Sequence, residues 1–159
     1  MYDADVIILS LNRTDLTIET IHNVLAQRNI NMKIWIIDQG STDENISKLR
    51  NLLPDYPDTV FLKELGKNYG VPGGRNIGAQ LGKGEIIVNI DNDAEFASTE
   101  ALENAVRLFR DDPSLGAVGF RVKNYYTNQD DELSWAYPKA LKPLREAPFV
   151  TTRFAGGAS

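Results

Sequence analysis

Hydrophobic residues fall into short continuous runs, separated by segments in which they recur every three or four positions. Val6-Ile7-Ile8-Leu9-Ser10-Leu11 is apolar at nearly every position, the pattern of a strand buried on both faces. Asn12-Arg13-Thr14-Asp15 breaks the run, and Ile18, Ile21, Val24 and Leu25 then recur at helical spacing. Met32 to Ile37 predicts a second strand. In the segment that closes it, Ser41 and Glu44 have capping-box spacing for a helix through Leu49, Leu52 and Leu53, with Pro54 and Pro57 at its exit. Val60-Phe61-Leu62 predicts a third strand. A glycine-rich segment follows, in which Pro72 and Gly82 bracket a short helix through Ile77 and Leu81. Ile86 to Ile90 is the fourth strand. Ser98 caps a helix containing Ala101, Leu102, Ala105, Val106 and Leu108, and Leu115 to Val122 reads as a fifth strand. Strands alternating with helices predict right-handed βαβ units. The expected fold is α/β, with a mostly parallel, Rossmann-like sheet flanked by helices.

After Lys123 the pattern changes. The segment holds Tyr125, Tyr126, Trp135, Tyr137 and Phe149 with little periodicity, which suits a binding loop or a covering flap equally. Val150 to Phe154 could form a strand. These changes divide one domain into residues 1–122 and 123–159.

Ligands of open α/β sheets bind beyond the carboxyl ends of the strands. Polar clusters follow the predicted strands at Ser10-Asn12-Arg13, at Asp38-Gln39-Gly40-Ser41 and at Asp91-Asn92-Asp93. Each alone reads as turn and cap chemistry; their joint placement at one edge, with the Gly73-Gly74-Arg75-Asn76 segment, points to a site. Two carboxylates one residue apart at the end of a buried strand repel unless a positive partner sits with them: a metal ion, an arginine, or solvent alone. Hard oxygen donors at that spacing suit Mg²⁺ or Mn²⁺ that also takes diphosphate oxygens. Asp38 suits a base N–H, ribose hydroxyls or an Asx turn. Arg75 suits a phosphate or a surface ion pair. Gly73, Gly74 and Gly78 fit neither the Walker motif nor the dinucleotide fingerprint.

Composition narrows the chemistry. The 159 residues carry a formal net charge of -5, which argues against nucleic acid as a partner. No cysteine is present and His22 is the single histidine, so thiolate chemistry and paired-histidine mechanisms are excluded within the chain. His22 lies beside the helical stripe and is assigned to surface or packing. No apolar run reaches the roughly 18–20 residues that span a bilayer, and no signal-peptide pattern precedes the first strand.

The succession "VIILSLNR", "IWIIDQGSTDE" and "NYGVPGGRNIGAQLGKGEIIVNIDNDAEF" resembles the nucleotide-sugar half of family 2 glycosyltransferases, over about residues 4–122. The resemblance implies the GT-A fold. It also implies inverting transfer of a sugar from a nucleoside diphosphate sugar, of UDP or dTDP type, to an acceptor hydroxyl, with Mn²⁺ or Mg²⁺. Cell-wall or other polysaccharide synthesis on a glycan or lipid-linked glycan acceptor would follow, in the cytoplasm or peripherally at the inner face of the membrane. Position by position, it places Ser10 and Asn12 at the nucleotide edge, Asp38 on base or ribose, and Arg75 and Asn76 on a helix facing the nucleotide. Asp91 would lie near ribose and metal, with Asp93 as the metal-binding carboxylate. Gln39 departs from the family's frequent acid or asparagine, leaving the base open. The general base is expected beyond Ser159, so the chain is expected to be a fragment that binds a donor and catalyses little. Two rivals stand beside this reading: a nucleotidyltransferase, although "SLNRTD" lacks its glycine-rich basic loop, and a non-catalytic binding module.

Overall fold

A computed structural model of the chain describes residues 2–131 and 139–144. Four strands, β1 (Ala4–Ser10), β2 (Met32–Asp38), β3 (Val60–Glu64) and β4 (Ile86–Ile90), form an all-parallel sheet in the order β3-β2-β1-β4. Between them run α1 (Thr14–Leu25), α2 (Asp43–Leu52) and α3 (Gly70–Gly78), and α4 (Ala101–Asp111) follows β4. The chain moves outward from β1 through β2 to β3, then crosses back to place β4 on β1's other side. That reversal makes the β1–β4 seam the switch point, where doubly wound sheets open a ligand crevice.

Alternation along the strands explains the two faces. Val6 and Ile8 of β1, Ile34 and Ile36 of β2, Val60 of β3, and Val88 and Ile90 of β4 share one core with Ile21 and Val24 of α1, Leu49 of α2 and Leu102 of α4. Fully burying each such aliphatic side chain contributes about 1.5–3 kcal/mol. On the opposite face α3 lies directly on β1 and β2: a Cβ on Gly78 would stand 2.7 Å from Ile7 Cγ2, and one on Gly74 2.9 Å from Leu9 Cδ2. Glycine at these positions lets the helix axis approach the sheet. Farther along this face, the buried Asp5 carboxylate accepts hydrogen bonds from Trp35 Nε1 (2.6 Å), Tyr2 Oη (2.7 Å) and the Gly84 amide (2.6 Å). Trp35 stacks on Phe61 at 4.8 Å.

The chain divides into two compact units, Met1–Asp111 and Asp112–Ser159. Within the second, Asn124 closes a tight hairpin by accepting from the amides of Tyr126 and Thr127, with Lys123 bridged antiparallel to Asp130. The expected fifth strand is not formed, since residues 115–122 carry no strand pairing. Gly116 and Gly119 interrupt the apolar run, and a Cβ on Gly116 would meet nothing within 4 Å. Extended backbone without a ladder partner is no strand, whatever its propensity. Trp135, Tyr137, Phe149 and the expected strand at 150–154 lie outside the described residues. Among those described, no helix is long and apolar enough to cross a membrane.

Candidate functional site

The parallel register aligns the carboxyl ends of the strands. Ser10 pairs with Asp38, Asp38 with Glu64, and Ile8 with Ile90, so Asp91 begins one step beyond the last ladder pair of β4. The loops that leave this edge are tied to one another by short polar side chains. Asp38, fully buried, accepts through Oδ2 from the amides of Gly40 and Ser41, each at 3.0 Å, and through Oδ1 from the Ser41 hydroxyl. Ser41 Oγ in turn accepts from the Asn12 amide at 2.9 Å, while Asn12 Oδ1 accepts from the Thr42 amide at 2.9 Å. Asn12 sits at φ 56°, a left-handed conformation that asparagine tolerates. Gly40, at φ 92°, brings the β2–α2 loop against the next one: a Cβ there would lie 3.1 Å from the backbone of Gly66 and Lys67. The capping box expected of Ser41 and Glu44 is therefore not what forms. Thr42 is the N-cap residue, and its hydroxyl accepts from Asn45 Nδ2 at 2.8 Å rather than from a helix amide, while the Ser41 hydroxyl donates to Asp38.

The two acids after β4 answer the electrostatic question with arginines from different elements. Arg75 of α3 donates to Asp91 Oδ1 at 2.6 Å, with side-chain exposures of 21% and 32%. Arg13, just before α1, donates to Asp93 Oδ2 at 2.7 Å, with exposures of 54% and 42%. Asn92, between the two acids, donates from Nδ2 to Thr17 Oγ1 at 3.1 Å. Thr17 Oγ1 itself donates to the Arg13 carbonyl at 3.0 Å and stands 3.4 Å from Ser10 Oγ. One buried hydroxyl thus connects β1, the Arg13 turn and the acidic triplet. Thr20 Oγ1 extends the fastening by donating to the Ala94 carbonyl at 3.1 Å.

Of the residues singled out from sequence, Asp91, Asp93 and Arg75 converge at the switch point. Ser10 and Asn12 stand one loop away, Ser10 buried against α1 and Asn12 strapping two loops together. Asp38 builds the turn that was one of its open alternatives. Asn76 is exposed on α3 and its side chain makes no hydrogen bond among the described residues, and His22 is exposed on α1. Sequence reasoning missed Thr17 and the pairing role of Arg13. A signal for Thr17 existed: Thr14, Thr17 and Thr20, all buried, follow helical spacing in line with Ile21 and Val24.

The donor set fits a hard divalent cation. Asp91 Oδ2 and Asp93 Oδ1 have no hydrogen-bond partner among the described residues, while the other oxygen of each is held by its arginine. Among the described residues, no histidine or third acid joins them there. Two carboxylates without an all-protein cage suit an ion completed by phosphate oxygens and water.

The family model described as glycosyl transferase family 2 matches residues 5–158. An uncharacterized protein of Haemophilus influenzae is 25% identical over 154 residues, covering 96% of this chain and 82% of its own length. The glucosyl-dolichyl phosphate glucuronosyltransferase of Haloferax volcanii is 31% identical over 113 residues, 71% of this chain but 35% of its own. Among solved structures, a mannosyltransferase of Pyrobaculum calidifontis in complex with GDP-Man and Mn²⁺ matches with a TM-score of 0.69 and 28% identity, covering 78% of this chain and 38% of that one. Staphylococcus aureus TarS, solved with UDP-GlcNAc, shares the fold at a TM-score of 0.59 and 20% identity, over 69% of this chain and 31% of its own. This chain therefore spans about a third of the Haloferax enzyme and of the solved transferases. With nearly its whole length matched by one family model and its sheet superposing on a solved transferase, the chain belongs to glycosyl transferase family 2 and carries the GT-A fold.

Proposed function

We propose that the carboxyl edge of this sheet binds a nucleoside diphosphate sugar and that the protein transfers its sugar, with inversion, to an acceptor hydroxyl of a glycan or lipid-linked glycan. The observation that carries this reading is the pair of carboxylates at the β1–β4 switch point, each neutralised by an arginine from a neighbouring element. A Mn²⁺ or Mg²⁺ ion held by Asp93, with Asp91 beside it, would offset the charge on the departing diphosphate. Arg75 holds Asp91 and turns its remaining donors toward the nucleotide. The Asp38–Ser41–Asn12 relay fixes the loops that flank base and ribose. In the reaction the acceptor oxygen forms a bond to the anomeric carbon and gives up its proton to a general base. The bond from that carbon to the diphosphate breaks, and the diphosphate leaves with the electron pair. Asp38, Asp91 and Asp93 are all engaged in holding the edge, so none of them is assigned as the proton acceptor.

Calorimetric titration with UDP, dTDP and GDP, each with and without Mn²⁺, tests this. The expected result is metal-dependent binding of at least one nucleotide, abolished in Asp93→Ala. Absence of binding by all three, or binding unchanged by metal and by Asp93→Ala, refutes the reading.

A further inference from the structure

The two ion pairs at the switch point differ, and the difference suggests which of them exchanges. Arg75–Asp91 is largely sheltered, whereas Arg13 and Asp93 expose 54% and 42% of their side chains. An exposed pair contributes little and separates readily. The backbones on both sides of it are fixed. The Arg13 carbonyl accepts from Thr17 Oγ1 at 3.0 Å and from the Thr17 amide at 3.0 Å. The turn after Asp93 is closed by the Ala94 amide on the Asp91 carbonyl at 3.2 Å and held by Thr20. Separating Arg13 from Asp93 therefore needs side-chain rotation alone. The guanidinium makes no other hydrogen bond among the described residues, so its remaining donors are available to a second anion.

Resting on the donor-site reading above, we propose that Arg13 is an exchangeable counter-ion. It occupies Asp93 when no donor is present, competes there with the divalent cation, and passes to the diphosphate oxygens when the cation arrives with its nucleotide. Two charges trade places: the cation takes the carboxylate, and the arginine takes the anion that came with the cation. A planar guanidinium suits this handover because it pairs bidentately with carboxylate and with phosphate alike. Free cation is thereby disfavoured at the empty edge, while the metal–diphosphate pair is favoured as a unit. Arg75 keeps Asp91 in place throughout.

The inference predicts effects of opposite sign from one substitution. Mn²⁺ binding is read from the residual electron paramagnetic resonance signal of the free ion, with Mn²⁺ alone and with Mn²⁺ plus UDP or GDP. Relative to wild type, Arg13→Gln should bind Mn²⁺ alone about two- to fivefold more tightly, the worth of an exposed ion pair. The same variant should bind Mn²⁺ with nucleotide about tenfold more weakly, the scale of a lost charge-assisted bond. Arg13→Lys, which keeps the charge without the fork, should fall between. A variant that is merely misfolded would weaken both, and its thermal midpoint would report it. If wild type binds Mn²⁺–nucleotide but Arg13→Gln moves both affinities in the same direction, or neither, the counter-ion role is overturned while the donor site stands. If wild type binds no Mn²⁺–nucleotide at all, the donor-site reading fails and this inference with it.

Discussion

Thr17→Val isolates the hydroxyl that connects β1, the Arg13 turn and the acidic triplet, because valine keeps the shape of threonine. The Thr17 hydroxyl is fully used: its proton goes to the Arg13 carbonyl at 3.0 Å, and its lone pairs face Asn92 Nδ2 at 3.1 Å and Ser10 Oγ at 3.4 Å. The two shorter bonds contribute about 0.5–1.5 kcal/mol each. Losing the third leaves the Ser10 hydroxyl, 1% exposed, without this neighbour, at a cost of about 1–3 kcal/mol. Asn92 is half-exposed and can turn to water, and the new buried methyl returns about 0.8 kcal/mol. The net loss is about 2 kcal/mol, which lowers the thermal midpoint of a chain this size by about 4–8 °C. Urea denaturation followed by circular dichroism measures it, with an unchanged m-value expected. Since Ser10 and Thr17 share one contact, Ser10→Ala together with Thr17→Val should fall short of the summed losses by about 0.5–1 kcal/mol. A loss below about 0.5 kcal/mol for Thr17→Val, within the range of an ordinary surface change, or strict additivity with Ser10→Ala, would refute the argument.

Three further outcomes follow from the packing. Asp5→Ala strips a buried acceptor from Trp35, Tyr2 and Gly84 and should destabilise by about 3–5 kcal/mol in the same assay. Gly78→Ala places a Cβ 2.7 Å from Ile7 Cγ2; the overpacking of about 1–3 kcal/mol outweighs the roughly 1 kcal/mol gained in helix propensity, so a net loss is expected by thermal denaturation. Acid stability depends on Arg110. Asp3 is held below the ordinary carboxylate range by the Asn31 amide and then by Arg110, and Glu85 is held low by Arg110. Carboxyls depressed in the folded state stabilise it above their unfolded values, about 4, and that contribution is lost as pH falls through the folded ones. The urea midpoint should therefore drop as pH falls below about 4, and drop less steeply in Arg110→Gln.

The two inner strands, β1 and β2, were legible because strands flanked on both sides leave unbroken apolar runs, and the outer strands β3 and β4 were legible as shorter apolar runs after turn signals. Val6 to Ile8 and Ile34 to Ile37 are the inner cases. Leu115 to Val122 has similar apolar content, but whether a run becomes a strand depends on finding a ladder partner, which one segment's sequence does not encode. The acids of the site were legible because charge at the end of an apolar run is conspicuous, although β4 proves to be an outer strand with Ile87 exposed rather than the buried strand expected. Their partners were not. Arg13 and Asp93 are 80 residues apart in sequence and meet because the chain reverses direction after β3. Thr17 was hidden because a buried hydroxyl within a helix reads as one more polar position until its acceptor, the turn before it, is known. Ser41 illustrates competition between two local signals. The capping-box spacing was present, but the Ser41 hydroxyl donates its proton to Asp38 and accepts from the Asn12 amide, so it ties two loops together instead of capping the helix.

The central claim is that a nucleoside diphosphate occupies the β1–β4 edge through a cation on the acidic triplet. Anomalous diffraction at the manganese edge, from crystals grown with Mn²⁺ and whichever of UDP, dTDP or GDP binds in solution, tests it most directly. The account predicts one strong manganese peak in contact with the Asp93 carboxylate and the diphosphate oxygens, with the Arg13 guanidinium moved off Asp93. A nucleotide bound elsewhere on the chain, or bound at this edge with no manganese near Asp91 or Asp93, would contradict it.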